Sequence, residues 1–128
     1  MKRTALLLLL SALTLLADVT GNWSGAATGR FRDDENRDTS EPISLTLKQD
    51  GATVTGGLVA PGSRQPIPIQ NGTVDGDTVK FDVGQATGSL LHFELKAGGD
   101  QIKGEMKFHK AAGDTAKTFK VFLQKMSK

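Results

Sequence analysis

A short acidic stretch near the start of the chain carries the side chains best suited to binding an ion. Asp34, Asn36 and Asp38 repeat at every second position, as the first oxygen ligands of a calcium loop do. Such a loop also needs a turn glycine and a bidentate glutamate, but Thr39 and Leu45 stand in those places. We therefore treat the three residues as calcium candidates only, and we expect a solvated loop with no metal site and no cofactor.

The chain holds few residues that could act as a nucleophile or as an acid–base pair. It contains no cysteine and no tyrosine, and Gly88-Ser89 lacks the following glycine that a nucleophile elbow requires. His92 and His109 both fall on the outward side of predicted neighbouring strands. A hairpin between them would place His92 roughly opposite Met106 and His109 roughly opposite Ser89, too far apart to share a metal. We predict two surface histidines, no catalytic residues and no enzymatic activity.

The first 17 residues have the three regions of a secretory signal peptide. Met1-Lys2-Arg3 is cationic, the segment from Ala5 to Leu16 is almost entirely apolar, and Ala17 is a small residue at the expected cleavage point. The apolar segment is shorter than the roughly 20 residues that a membrane-spanning helix needs. The sequence therefore predicts a signal-peptide helix over 1–17, a mature domain over 18–128, and a secreted or periplasmic protein.

Removal of the leader changes what the charge implies. The whole chain has 16 Lys and Arg against 14 Asp and Glu, and Lys2 and Arg3 leave with the leader, so the mature chain is neutral. The basic isoelectric point therefore predicts no binding to nucleic acid. Residues 100–128 carry seven bases and three acids, whereas residues 18–50 carry four bases and seven acids. Unless these segments neutralise each other in space, the C-terminal strand should present a cationic face.

Apolar residues alternate with polar ones along nearly the whole mature sequence, the period of strands with one buried face. Phe122 is the exception, because it falls on the outward side of its strand. Asp50-Gly51, Asp75-Gly76 and Gly98-Gly99 are typical of tight hairpin turns. We predict an all-β protein, a single eight-stranded antiparallel up-and-down barrel. The predicted strands are 21–31, 42–49, 52–60, 65–73, 77–84, 89–97, 100–109 and 116–126.

The inward positions predict a filled interior. An eight-stranded barrel is just wide enough to be filled by side chains or to hold one small ligand, and here the inward residues are mostly large and apolar. Trp23 shares their phase, and we expect it to plug one end of the barrel. Inward glycines, such as Gly56 and Gly104, should let strands bend or make room for a bulky neighbour. Both glycines belong to a pattern that repeats at an offset of 48 residues.

Two resemblances accompany this interpretation. Gly21-Asn22-Trp23 at the start of the first strand resembles the opening of lipocalin-like and avidin-like barrels, in which such a tryptophan closes one end. The phrases Leu45 to Gly51, Val54-Thr55-Gly56 and Asn71 to Phe81 resemble a group of small secreted bacterial β-barrel modules. The second resemblance runs from about Asp18 to the C-terminus and implies a bacterial origin and a barrel fold, but no activity.

The sequence therefore predicts an exported, monomeric, non-catalytic module that binds a protein, a glycan or an envelope component through its loops. A lipocalin-like carrier of a small apolar ligand in the barrel, or a secreted protease inhibitor, stays open as an alternative. Neither nucleic acid nor a membrane span in the mature chain is expected. The candidate binding loops are 30–42 and 61–66, and their candidate residues are Arg32, Asp33, Asp34, Glu35, Arg37 and Arg64.

Overall fold

A computed structural model describes residues 18–30, 37–60, 63–85, 88–109 and 117–126 of the chain. The predicted leader, residues 1–17, lies outside the described residues. All regular structure within the described ranges is β-strand, and none of these segments forms a helix that could cross a bilayer.

The strands form one antiparallel meander that closes on itself, which confirms the predicted eight-stranded barrel. Apart from β4 and β5, which do not pair with each other, each strand pairs with its neighbours in the chain, and β1 also pairs with β9, so no long edge is left open. Two short segments, β4 and β5, together take the place of one of the eight strands of the barrel, because both pair with β3. The strands are β1 (Gly21–Gly29), β2 (Thr39–Asp50), β3 (Thr53–Val59), β4 (Ile67–Pro68), β5 (Gln70–Asp75), β6 (Thr78–Gly84), β7 (Leu90–Gly98), β8 (Gln101–His109) and β9 (Lys117–Lys125).

The three predicted hairpin turns are present and lie at one end of the barrel. Gly51, Gly76 and Gly99 each take the first position of a two-residue turn, with φ of +63°, +61° and +62°. A side chain would be strained at this left-handed φ, so glycine is the residue that closes these turns at low cost. The connections between β1 and β2, β3 and β4, β6 and β7, and β8 and β9 therefore lie at the opposite end.

The predicted fourth strand is interrupted where the sequence suggested a continuous run. The register between β5 and β6 shifts between Gln70 and Thr73, which leaves one extra residue on β5. Asn71 lies in this bulge with a φ of 57°, a left-handed value that asparagine tolerates better than most residues. The bulge changes the phase of the strand, and Val74, which the predicted strand did not include, is consequently buried.

The core follows the predicted inward phase closely. Phe81 and Phe93, which are direct cross-strand partners, stack at its centre with ring centroids 4.7 Å apart. Ile67 and Phe108 pack against this core and are only partly buried. The buried apolar residues are Val19, Trp23, Ala27, Ile43, Leu45, Leu47, Val54, Leu58, Ile69, Val74, Val79, Phe81, Val83, Leu91, Phe93, Leu95, Ile102, Met106, Phe119, Val121 and Leu123.

Two of the inward glycines allow neighbouring strands to approach closely. A Cβ on Gly56 would collide with the carbonyl oxygen of Thr46, and a Cβ on Gly104 would collide with that of Glu94. The two contacts are equivalent under the offset of 48 residues seen in the sequence, so the repeated pattern marks two hairpins with the same close approach. Gly29 instead makes room for the ring of Phe119, which is one of the two uses expected of the inward glycines.

Candidate functional site

Trp23 lies at the end of the barrel that holds the tight turns. The indole is 1% exposed, and its Nε1 donates a hydrogen bond of 3.0 Å to the carbonyl oxygen of Val19. The backbone N–H of Val19 in turn donates to Oε1 of Gln49 at 2.9 Å, beside the first hairpin turn. The ammonium of Lys125 lies 5.7 Å from the indole ring centroid. These contacts draw the segment before β1 across this end of the barrel.

A cavity of about 360 Å³ occupies the opposite end. Its deepest lining is apolar and includes Ala27, Leu58, Met106 and Phe119, each at most 6% exposed. The lining side chains come from the starts of β2, β7 and β9 and from the ends of β1, β3, β6 and β8, which all lie at this end. The full lining is Ala27, Glu41, Ile43, Leu58, Ala60, Gln85, Leu91, Met106, Phe108, Lys117 and Phe119.

The rim of this cavity is polar. Glu41, Gln85 and Lys117 continue the inward phases of β2, β6 and β9, but they lie at or just beyond the strand ends. Glu41 and Lys117 are half-buried and Gln85 is exposed. An apolar floor below a small set of polar groups is the usual composition of a site for a small molecule.

The expectation of a filled interior is therefore not met at the open end of the barrel, where the cavity lies above buried apolar side chains. The Trp23 half is filled by large side chains, whereas the other half has Ala27 and Ala60 at inward positions. Large apolar side chains such as Met106 and Phe119 form its floor, and charged or amide groups form its rim. Two of the positions that line the cavity thus hold alanine, where a larger side chain would reduce its volume.

On the outer face, His92 is bound to two carboxylates, a cluster that the sequence analysis missed. Its Nδ1 lies 2.6 Å from Oδ1 of Asp82, and its Nε2 lies 3.1 Å from Oε1 of Glu94. Asn71 donates from Nδ2 to Oδ2 of Asp82 at 3.1 Å, which ties the bulge of β5 to this cluster. The predicted register was wrong by one residue, since His92 pairs with Lys107.

The cluster shifts the pKa of each of its ionisable members. The hydrogen bond to Asp82 raises the pKa of His92, and Glu94 adds to this effect against the opposing effect of burial. Burial raises the pKa of Asp82, but the hydrogen bonds from His92 and Asn71 outweigh it, so this pKa lies below its ordinary value. The hydrogen bond from His92 lowers the pKa of Glu94, with help from the charge of Lys80.

Those predicted loop residues that the structure describes lie at the same end of the barrel as the cavity. Arg37 and Asp38 are exposed just before β2, and Arg64 is exposed after β3. The remaining candidates, Arg32, Asp33, Asp34, Glu35 and Asn36, lie outside the described residues. Within the described ranges, no three His, Asp or Glu side chains are grouped so that they could hold a metal ion.

A second surface feature surrounds Phe122, which the sequence placed on the outward side of β9. The ring is 46% exposed. Its cross-strand neighbours are Lys103 on β8 and Ala26 on β1. Lys96 pairs with Lys103, and Lys120 lies two positions before Phe122 on the same face. We call Phe122 with its three lysines the Phe122 patch.

The C-terminal strands therefore do present a cationic face. Glu105 lies beside the Phe122 patch. β1 borders the same patch and has no acidic residue that could neutralise the lysines.

No protein-family model, no curated protein and no solved structure matches this chain.

Proposed function

We propose that this protein is an exported carrier that binds a small apolar ligand in the open half of its barrel. The observation that carries the proposal is the cavity of about 360 Å³ with an apolar floor and a polar rim. Pockets for small molecules usually start at roughly 300 Å³. The resemblance of Gly21-Asn22-Trp23 to lipocalin-like and avidin-like barrels is in keeping with this function, as is the predicted leader.

The size of the cavity limits the ligand. Liquid water occupies roughly 30 Å³ per molecule, so the cavity corresponds to on the order of ten water-sized groups. The ligand should therefore have on the order of ten non-hydrogen atoms, which suits an aliphatic chain of about eight carbons or a compact terpenoid. Ligands much larger than this would have to project past the rim.

The floor of the cavity supplies the binding free energy in this proposal. Met106, Phe119 and Leu58 present aliphatic and aromatic surface without a competing polar group. Each buried methylene contributes about 0.8 kcal/mol, offset by the loss of ligand freedom. The rim then orients the polar end of the ligand towards water.

Isothermal titration calorimetry with 1-octanol tests the proposal. We expect saturable binding with one site per chain, and we expect Ala27→Leu, which extends a cavity-lining side chain into the space, to weaken it at least tenfold. Ala26→Leu is the matched control, because the neighbouring side chain lies on the outer face of the same strand. Absence of saturable binding, or equal affinities for both variants and the natural protein, would contradict the proposal.

Native mass spectrometry adds a second readout that does not depend on the choice of probe. Protein purified gently from its own host should carry a consistent additional mass of a small molecule. Heating or extraction with organic solvent should remove this mass and raise the number of sites that 1-octanol can fill.

A second candidate function, a module that binds a protein partner, is favoured by the Phe122 patch. An exposed aromatic ring beside Lys96, Lys103 and Lys120 complements an acidic peptide segment that contains an apolar residue. A short synthetic peptide of Asp and Glu with one central leucine is the probe. Binding should weaken with added salt and with Phe122→Ser, whereas binding that is insensitive to both changes would rule this function out.

A further inference from the structure

The rim of the cavity carries a carboxylate that has no partner within the described part of the chain. Glu41 lies on β2 opposite Ala27 and shares the inward phase of Ile43. Its side chain is half-buried and lines the cavity. None of its oxygens takes part in a hydrogen bond or an ion pair with a described residue.

This placement gives Glu41 an unused capacity to accept hydrogen bonds. An ionised carboxylate offers about four acceptor positions. Partial burial beside an apolar cavity removes some of its water, which makes a partner that donates hydrogen bonds more valuable than it would be in bulk solvent. A ligand that fills the cavity would displace further water from this carboxylate, so an apolar ligand without a donor would leave Glu41 less well solvated.

We propose that Glu41 selects ligands whose apolar body carries a primary ammonium group at one end. The inference rests on the proposed carrier function and names the chemistry of its ligand. The aliphatic body lies on the floor of the cavity, and the ammonium group donates a charge-assisted hydrogen bond to Glu41 at the rim. A carboxylate-headed ligand of the same length would face like charge at this position.

Lys117 is the rim residue that could favour the opposite head group. It continues the inward phase of β9 towards the same opening. Lys117 already takes part in an interaction within the protein, whereas the carboxylate of Glu41 has no partner among the described residues. The carboxylate of Glu41 is therefore the rim charge left for a ligand to satisfy.

Calorimetry with octylamine, 1-octanol and octanoate at neutral pH tests the inference, because the three probes share one chain and differ in their head groups. A hydrogen bond to a charged group contributes about 1.5–3 kcal/mol, so octylamine should bind about tenfold or more tightly than 1-octanol. Octanoate should bind most weakly. In Glu41→Gln the preference for the amine should disappear while the affinity for 1-octanol is kept.

The outcomes separate this inference from the proposed function. If 1-octanol binds but octylamine binds no better, or if Glu41→Gln leaves the preference unchanged, the ammonium assignment is overturned and the carrier function stands. Tightest binding of octanoate, reversed by Lys117→Gln, would assign the selectivity to Lys117 and overturn the inference in the same way. If none of the three probes binds, the carrier function fails and the inference fails with it.

Discussion

His92 and Asp82 lie directly opposite each other on β7 and β6, and their side chains meet on the outer face with Nδ1 2.6 Å from Oδ1. The side chains are 31% and 19% exposed, so the pair is only partly screened by solvent. Glu94 acts on the pKa of His92 and His109 acts on that of Asp82, whereas the charges of Lys80 and Lys107 act on Glu94. The pair is consequently a pH-dependent contribution to the stability of the barrel.

The pH dependence of this stabilisation follows from the directions of the pKa shifts of His92 and Asp82. The pKa of His92 is raised above 6.5, so its contribution is complete below that pH and is lost as the pH rises through the folded-state value. The pKa of Asp82 is lowered below 3.8, so its contribution is present above that pH and is lost as the pH falls through the folded-state value. The pair therefore stabilises the barrel most between about pH 4 and 6.5.

A double-mutant cycle with His92→Gln and Asp82→Asn measures this coupling. We expect a coupling free energy of about 0.5–1 kcal/mol at pH 5.5, as for other partly exposed pairs, and a clearly smaller one at pH 9. Urea unfolding at both pH values gives the four free energies. Equal coupling at both pH values would show that the charge on His92 plays no part.

Replacement of Trp23 by phenylalanine should destabilise the protein without affecting the cavity. Trp23→Phe leaves the carbonyl oxygen of Val19 without its donor, which costs about 1–3 kcal/mol for a buried group. Denaturant unfolding should show this loss. The affinity for 1-octanol should stay within about twofold of the natural value, because the cavity lies at the other end, and a large change would contradict the separation of the two ends.

The stability of Ala27→Leu tests the cavity without any ligand. Filling an empty space with apolar atoms commonly adds about 0.5–2 kcal/mol to the free energy of unfolding. In a filled interior the same change would overpack the core and cost about 1–3 kcal/mol. Thermal unfolding of ligand-free protein distinguishes the two cases by the direction in which the Tm moves.

Gly104→Ala should be among the more damaging single-methyl changes in the barrel. The added Cβ would lie 2.8 Å from Cα of Leu95 and still closer to the carbonyl oxygen of Glu94, and backbone atoms cannot move aside as a flexible side chain can. We expect a loss of about 1–3 kcal/mol. Gly84→Ala is the matched control, since its Cβ meets nothing within 4 Å, and it should have little effect or a small stabilising one.

Much of the architecture could be predicted because it depends on local rules. Alternation of period two places side chains on one face or the other whatever the rest of the chain does, so most inward positions and the outward Phe122 were predicted correctly. Glycine at the start of a two-residue turn has a local cause as well, and Gly51, Gly76 and Gly99 all occupy such turns. The close approach at Gly56 and Gly104 likewise left a repeated pattern in the sequence.

The candidate site depended on relationships that no local rule contains. The observed register differs from the predicted one by one residue, so His92 lies opposite Lys107 rather than Met106. The pairing of β6 with β7 places His92 opposite Asp82 on its other side. The cavity is lined by two small side chains, Ala27 and Ala60, that are far apart in the sequence and are brought to one end of the barrel by strand pairing.

The amino-acid sequence by itself determined which residues face inwards and where the hairpins turn, because both follow from the conformational preferences of a few adjacent residues. Tertiary structure alone decided whether the inward side chains fill the space they enclose. That outcome depends on the summed volume of the side chains that all the strands contribute at each height along the barrel axis. The height of each residue is set by strand register.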